Sequence, residues 1–239
     1  ADITGITTNE KLADQYASHC VLALPLVGAN SDVSTSIACT SSTKSVTSNG
    51  DAAASSTQNN FYNGSFYFDG TDDRLTTDIG SGGLPNDFTI EYWIYADSIS
   101  SDRGHFQMSA TSGGLVQSTS SLMVSWGQSE GDTNMYVGNG SVTDIDDPNV
   151  NGVWKHYAIV RNSGTLKLYV NGKQAYSASN SVDMTGYRYL SISGYYNTNF
   201  LWLGYIQDFR IYTGVAKYTS DFVVPSRSPD VLPDTPSGV

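Results

Sequence analysis

The sequence predicts an all-β domain, a sandwich or a barrel, on three observations. Between Trp154 and Tyr176, Ala158, Val160, Leu166, Leu168 and Val170 recur at every second position, the period that puts apolar groups on one face of a sheet. Asn162-Ser163-Gly164 and Asn171-Gly172 interrupt that run, and Asn and Gly tolerate the positive φ that hairpin turns demand. Many further short apolar runs follow with turn residues between them, and no stretch has a helical period of useful length.

Taken in order, residues 1–16 are a polar arm, with a weak helical pattern at Asn9–Tyr16. Residues 17–222 form the domain. Its first strand is Cys20–Leu26. From Ser31 to Asn60 the chain is rich in Ser, Thr, Ala and Asn and reads as loops and edge strands, with weak alternation at Lys44–Thr47. The stronger strands are Ser65–Phe68, Arg74–Thr77, Phe88–Ala96, Gly104–Ser109, Leu122–Ser125 and Asn134–Val137. The Trp154–Tyr176 meander, Tyr189–Ile192, Phe200–Leu203 and Gly204–Tyr212 complete the series. Asp69-Gly70, Ser112-Gly113-Gly114, Asn139-Gly140 and Asn197-Thr198-Asn199 mark turns. Val215–Tyr218 suits one short turn of helix. Residues 223–239 hold four prolines, a density that favours an extended linker. The expectation is that the native protein continues beyond it or that the tail lies on a neighbour.

Composition narrows the function. The chain has 239 residues, enough for one large β domain. A net charge of -11 with no Lys/Arg cluster repels phosphate backbones and anionic membrane surfaces. Nucleic acid and membrane insertion are therefore not expected. No run of about 18 apolar residues exists to span a bilayer. The start has neither a signal peptide's pattern nor an initiator Met, which suggests a processed or excised piece. Cys20 and Cys39 are too few for a disulfide scaffold. A bridge between them and two buried thiols both stay open.

Four blocks line up with one family: FYFDGTDDRL at Phe66–Leu75, DFTIEYWIY at Asp87–Tyr95, WKHYAIVRNSGTLKLYVNGK at Trp154–Lys173, and GYIQDFRIYTGVAKYTSDFVVP at Gly204–Pro225. In their order and spacing they resemble the laminin-G-like, concanavalin A-like lectin domains, most closely the bacterial and bacteriophage branch. The resemblance covers roughly Cys20 to Pro225. It implies a two-sheet antiparallel jelly-roll sandwich. In DFTIEYWIY, Phe88, Ile90, Tyr92 and Ile94 alternate with Thr89, Glu91, Trp93 and Tyr95. Large groups on both faces mark a central strand covered on both sides.

The resemblance also implies a calcium site, built from an acid after the first strand and the Asp of the last strand motif, here Asp208. Leu26-Val27-Gly28 offers no carboxylate at the first position. Asn30 and Asp32 follow, and calcium accepts such oxygens in flexible geometry. The alternative is that Asp208 bonds to backbone or to Arg210. The run Asp144-Ile145-Asp146-Asp147-Pro148-Asn149 fails as an EF-hand, because Lys155 stands where the closing Glu belongs. It reads as a solvated acidic loop.

Glycosidases on this kind of sandwich need two carboxylates flanking the substrate. Glu91 is alone on its strand, Asp97 lies past its end, and Glu130 and Asp132 sit in a Gly-rich turn. No catalytic residue is assigned and the chain is read as not an enzyme. Loops are the better ligand site. Tyr195, Tyr196, Asn197 and Asn199 combine aromatic rings, which suit the apolar faces of sugars, with amides that suit hydroxyls. Trp126 is a further candidate, and His105 with Gln107 a weaker one. The alternative is that these residues serve a turn, the core or a protein interface.

The leading expectation is a non-enzymatic adhesion or assembly module on a virion surface, a phage tail-fibre or capsid-decorating protein. Its partners would be host glycans or another virion or host surface protein, within a larger chain or an oligomer. The alternative is a secreted bacterial carbohydrate-binding module, calcium-dependent in one version. A glycoside-active enzyme comes third.

Overall fold

The computed structural model describes residues 14–30, 42–60, 63–112, 121–127, 133–138, 141–145, 147, 151–194 and 200–224. After a single 3-10 turn at Ala17–His19 the strands are β1 (Cys20–Leu24), β2 (Val46–Asn49), β3 (Ala53–Ser55), β4 (Ser65–Asp69), β5 (Arg74–Asp78), β6 (Phe88–Ala96), β7 (Arg103–Ser109) and β8 (Ser121–Trp126). Then follow β9 (Thr133–Val137), β10 (Ser141–Ile145), β11 (Trp154–Asn162), β12 (Thr165–Val170), β13 (Lys173–Ser179), β14 (Tyr189–Ile192) and β15 (Leu203–Thr213). One sheet has eight strands, ordered β13-β12-β11-β6-β15-β4-β3, with β1 also on β15; the other has seven, ordered β10-β9-β8-β7-β14-β5-β2. The pairings are antiparallel. This is the jelly-roll sandwich that the resemblance implies. Among the described residues no helix is long and apolar enough to cross a membrane.

The core lies between the sheets. Phe88, Ile90, Tyr92 and Ile94 supply it from β6, as their alternation predicts, and Phe106, Met108, Leu122 and Val124 supply it from the facing sheet. Tyr92 stacks on Phe209 at 5.2 Å and meets Phe106 edge-on at 5.6 Å, so three strands from both sheets close on one aromatic cluster. β6 is central, paired with β11 on one side and β15 on the other.

The Trp154–Tyr176 meander forms as expected, but its apolar run falls on two faces. Asn162 pairs with Thr165 across the turn, which sets Ile159 opposite Leu168 and Arg161 opposite Leu166. Residues opposite each other share a face. Leu166, Leu168 and Val170 therefore join the main core with Tyr157 and Ile159, while Ala158 and Val160 point the other way. A two-residue hairpin turn resets the phase of the alternation. Both of its turns have the positive φ their sequences imply: 49° and 81° at Ser163-Gly164, 48° and 77° at Asn171-Gly172.

Ala158 and Val160 are covered all the same. Ala216, Tyr218 and Phe222 pack against them and Tyr169, so residues 214–222 run as a strap over part of the outer face of the eight-stranded sheet. This segment is not the helical turn expected at Val215–Tyr218. Thr89 Oγ1 donates to the Val215 carbonyl and accepts the Lys217 N–H, so the backbone bonds to the sheet instead of to itself. The strap is pinned at its far end by Phe222 N–H to Gly172 O at 2.9 Å. Val223 points to solvent at 94% exposure, while Val224 is half-buried beside Gly172.

Two smaller expectations change. Phe200–Leu203 is not a separate strand, since β15 begins at Leu203. Asp147 is not in a solvated loop: it is buried and satisfied by Lys155 Nζ at 2.8 Å, Tyr157 Oη at 2.6 Å and Thr133 Oγ1 at 3.1 Å. Cys20 is buried with its thiol donating to the Leu22 carbonyl at 3.3 Å, while Cys39 lies outside the described residues.

Candidate functional site

The outward side of β6 carries Glu91, Trp93 and Tyr95, two residues apart. Glu91 lies under the strap. Its carboxylate accepts Lys217 Nζ at 2.6 Å and Tyr218 Oη at 2.7 Å. Burial pushes this carboxyl up, but the charges of Lys217, Arg210 and His156 outweigh it and hold the pKa at about 2. Trp93 meets His156 edge-on at 5.2 Å, and His156 in turn meets Phe222 of the strap at 5.9 Å. Tyr95 lies one step further along, past the strap's last aromatic contact.

At the Tyr95 level four aromatics stand in a row across four strands. Tyr205 pairs with Tyr67 on one side and Tyr95 on the other, and Tyr95 pairs with Trp154. Ring centroids are 4.9 Å apart for Tyr67–Tyr205, 5.7 Å for Tyr95–Tyr205 and 5.6 Å for Tyr95–Trp154. Tyr67, Tyr95 and Trp154 are half-buried and Tyr205 is 7% exposed. Four strands at their usual spacing make such a row roughly 14 Å long. Burial raises the Tyr67 and Tyr205 hydroxyls, and the Asp97 carboxylate raises both further. Both therefore stay protonated at neutral pH, with the Tyr205 hydroxyl already engaged by the Ser55 and Thr57 side chains. Gly204 lets the row close up: a Cβ there would lie 2.1 Å from the Tyr95 carbonyl oxygen. The arrangement offers apolar ring surface with hydroxyls and a carboxylate along it, chemistry that suits an extended polyol.

The sequence-predicted ligand residues fare differently. Tyr195, Tyr196, Asn197 and Asn199 lie outside the described residues, but both ends of their loop are fixed to one residue of β7. Gly194 N–H bonds Gly104 O at 2.9 Å and Gly104 N–H bonds Phe200 O at 2.7 Å. Trp126 belongs to the core, 9% exposed and edge-on to Trp202 at 6.1 Å. His105 is buried too, with Tyr92 Oη at 3.0 Å from Nδ1; burial, then the Lys155 charge, lowers its pKa to about 3. Gln107 donates to Met123 Sδ at 3.2 Å. The four row aromatics escaped sequence reasoning, though each of the four quoted blocks contributes one. The signal lay in the register between blocks, which no single block contains.

On the other sheet, β2, β5 and β14 form an open groove of about 210 Å³ lined by Thr47, Thr76, Asp78, Tyr189 and Ser191 among others. Its carboxylate is committed: Arg188 Nε donates to Asp78 Oδ1 at 2.8 Å, and the guanidinium holds the Asp78 carboxyl below its usual range.

Of the residues assigned to a metal, Asp208 sits in a bulge of β15 with φ 56°. Arg210 Nε and Nη2 each donate to one of its oxygens at 2.6 Å. This is the alternative the sequence reading left open. Asn30 is half-buried and Asp32 lies outside the described residues.

The sequence profile of the concanavalin A-like lectin/glucanases superfamily matches residues 68–217. Domain 4 of AbnA, an extracellular arabinanase of Geobacillus stearothermophilus solved in complex with arabinotriose, is similar in structure. It has a TM-score of 0.60 and 16% identity over 83% of this chain and 94% of that one. The receptor-binding domain of botulinum neurotoxin type G gives 0.60 and 15% over 85% of this chain and 50% of that one. The binding domain of botulinum neurotoxin DC, in complex with SialylT, gives 0.57 and 14% over 82% and 48%. The chain thus spans about half the length of the toxin domains. Among curated proteins none matches.

Proposed function

The chain belongs to the concanavalin A-like lectin/glucanases superfamily, and from that premise we propose that it is a non-enzymatic module that binds glycan chains on its aromatic row. The row of Tyr67, Tyr205, Tyr95 and Trp154 carries the reading. Aromatic faces match the CH faces of sugars, and hydroxyls and Asp97 supply the polar contacts that fix orientation. A binding role is favoured over hydrolysis because the two buried carboxylates on this sheet's outer face, Glu91 and Asp208, are each held by a cation. Neither is available as a general acid or nucleophile.

The finer placement is an adhesion or assembly module on a virion surface; its support is the resemblance of the four blocks to the bacterial and bacteriophage branch, together with the Pro-rich segment after Val224. A secreted carbohydrate-binding module is the second reading. It is favoured by the likeness to the arabinanase domain, of which 94% is covered. Immunogold labelling of particles against culture supernatant separates the two.

The test of binding is a glycan array followed by calorimetry on the best ligand. Tyr95→Ala and Trp154→Ala should each weaken binding at least tenfold, and Tyr189→Ala in the groove should not. Unchanged affinity in both row variants sinks the proposed site.

A further inference from the structure

Two connections between the sheets run side by side at one end of the sandwich. β2 pairs with β5 in the seven-stranded sheet, with Asn49 opposite Arg74. β3 pairs with β4 in the eight-stranded sheet, with Ala53 opposite Tyr67. The β2–β3 turn, containing Gly50 and Asp51, must therefore cross from sheet to sheet beside the β4–β5 turn, which ends at Asp72-Asp73. Four carboxylates collect where the two turns meet. One oxygen from each of Asp51, Asp69, Asp72 and Asp73 lies within 4.8 Å of the others.

The cluster is more than surface acidity. Asp73 is fully buried, at 0% exposure. Its Oδ2 accepts the Asp69 N–H at 2.8 Å, but its Oδ1 has no hydrogen-bond partner. A buried carboxylate oxygen is costly to leave unsatisfied. The absence of a side chain at Gly50 leaves room for that oxygen. A Cβ on Gly50 would lie 2.5 Å from Asp73 Oδ1 and 2.7 Å from Asp72 Oδ1. Both oxygens thus converge on one spot against the facing turn. Burial raises the Asp73 carboxyl; the Asp69 N–H and, more weakly, the Asp51 N–H oppose this, while the Asp69 and Asp51 carboxylates add to it. A cation in their midst would reverse the sign of that local field.

We propose that Asp51, Asp69, Asp72 and Asp73 form a calcium site that clamps the two inter-sheet turns together. The donors are all hard carboxylate oxygens, which select calcium over softer-ligand metals. Asp51 and Asp72 are exposed, so water can complete a shell of six to eight oxygens. This site is separate from Asp208.

The experiment is calorimetry and thermal unfolding of the chelator-treated chain titrated with calcium chloride. Wild type should bind one ion and melt several degrees higher in millimolar calcium. Asp51→Asn and Asp72→Asn, at exposed positions, should keep the wild-type melting temperature in chelator yet lose at least tenfold in calcium affinity. Asp73→Asn should do the same through the buried oxygen. No heat and no melting shift in wild type would overturn the proposal. So would calcium binding unchanged in both exposed variants, because the ion would then sit elsewhere.

Discussion

Lys217 and Glu91, 126 positions apart in the chain, meet at 2.6 Å beneath the strap. Lys217 Nζ also lies 3.6 Å from Asp14 and 4.1 Å above the Tyr212 ring. The residues before β1, the last strand and the strap are thereby joined at one buried ammonium group. The strap's cover extends from here as far as Phe222 against His156. Tyr67, Tyr95 and Trp154 of the row lie beyond that point and are left half open.

Lys217→Met should therefore destabilise strongly. It strands a buried carboxylate, and removing one partner of a buried pair costs about 3–5 kcal/mol. Glu91→Gln with Lys217→Met should cost less than Lys217→Met alone, because only Asp14 then loses an ionic partner, and it keeps its bond from Tyr212 Oη. Urea unfolding of the two variants and wild type reads the difference. Equal losses would mean that the strap is held by Tyr218 and Phe222 packing alone.

Stability should fall on acidification, in two stages. His105 and His156 are pushed down by burial from 6.5 to about 3 and about 4. The unfolded chain takes up these protons below 6.5 while the folded chain refuses them, so stability declines as pH drops from 6.5. Each pH unit in that window costs about 1.4 kcal/mol per histidine. Glu91 adds a second stage. Its folded value of about 2 lies below the ordinary 4.5, so its contribution is present above 4.5 and lost as pH falls toward 2. Urea midpoints measured from pH 8 to pH 4 should decline throughout the lower half, and His105→Gln should flatten the decline. A flat profile would contradict the burial of both rings.

Gly172 is where the strap touches the meander. Its φ is +77°, and a Cβ would lie 2.1 Å from the Phe222 carbonyl oxygen. Gly80 has a φ of +102° with nothing within 4 Å of a Cβ. Both Ala substitutions carry backbone strain, of order 1–3 kcal/mol, but only Gly172→Ala also pushes the strap away. Gly172→Ala should lose more stability than Gly80→Ala, and hydrogen exchange at the Phe222 amide should rise in it alone.

Most of the sandwich was legible because alternation inside a strand is a local property. Phe88 to Ile94 shows it: the period alone assigns Phe88, Ile90, Tyr92 and Ile94 to the core. The relation between strands was not legible, because it depends on how many residues each turn consumes. That is why Ala158 and Leu166, in phase along the sequence, lie on opposite faces. The same gap hid the aromatic row, whose members meet only through registers such as Tyr205 with Tyr67 and Tyr95. It also hid Asp147, whose partners Thr133, Lys155 and Tyr157 come from two different strands. Asp208 was legible in part: Arg210 is two residues away, a spacing that shares a strand face, while the bulge between Gln207 and Arg210 was not legible.

The Asp208–Arg210 pair makes the last prediction. Both side chains are 8% exposed and two bonds of 2.6 Å join them. A calcium ion bound through Asp208 with Asn30 and Asp32 would have to displace that guanidinium and leave it buried beside a dication. The pair's Coulomb attraction is strong at low effective dielectric, so the exchange is unfavourable. Asp208→Asn should therefore destabilise by about 3–5 kcal/mol, yet leave the melting shift produced by calcium as large as in wild type. A calcium shift abolished in Asp208→Asn and retained in Asp72→Asn would instead place the ion at Asp208, and would require Arg210 to swing out when calcium binds.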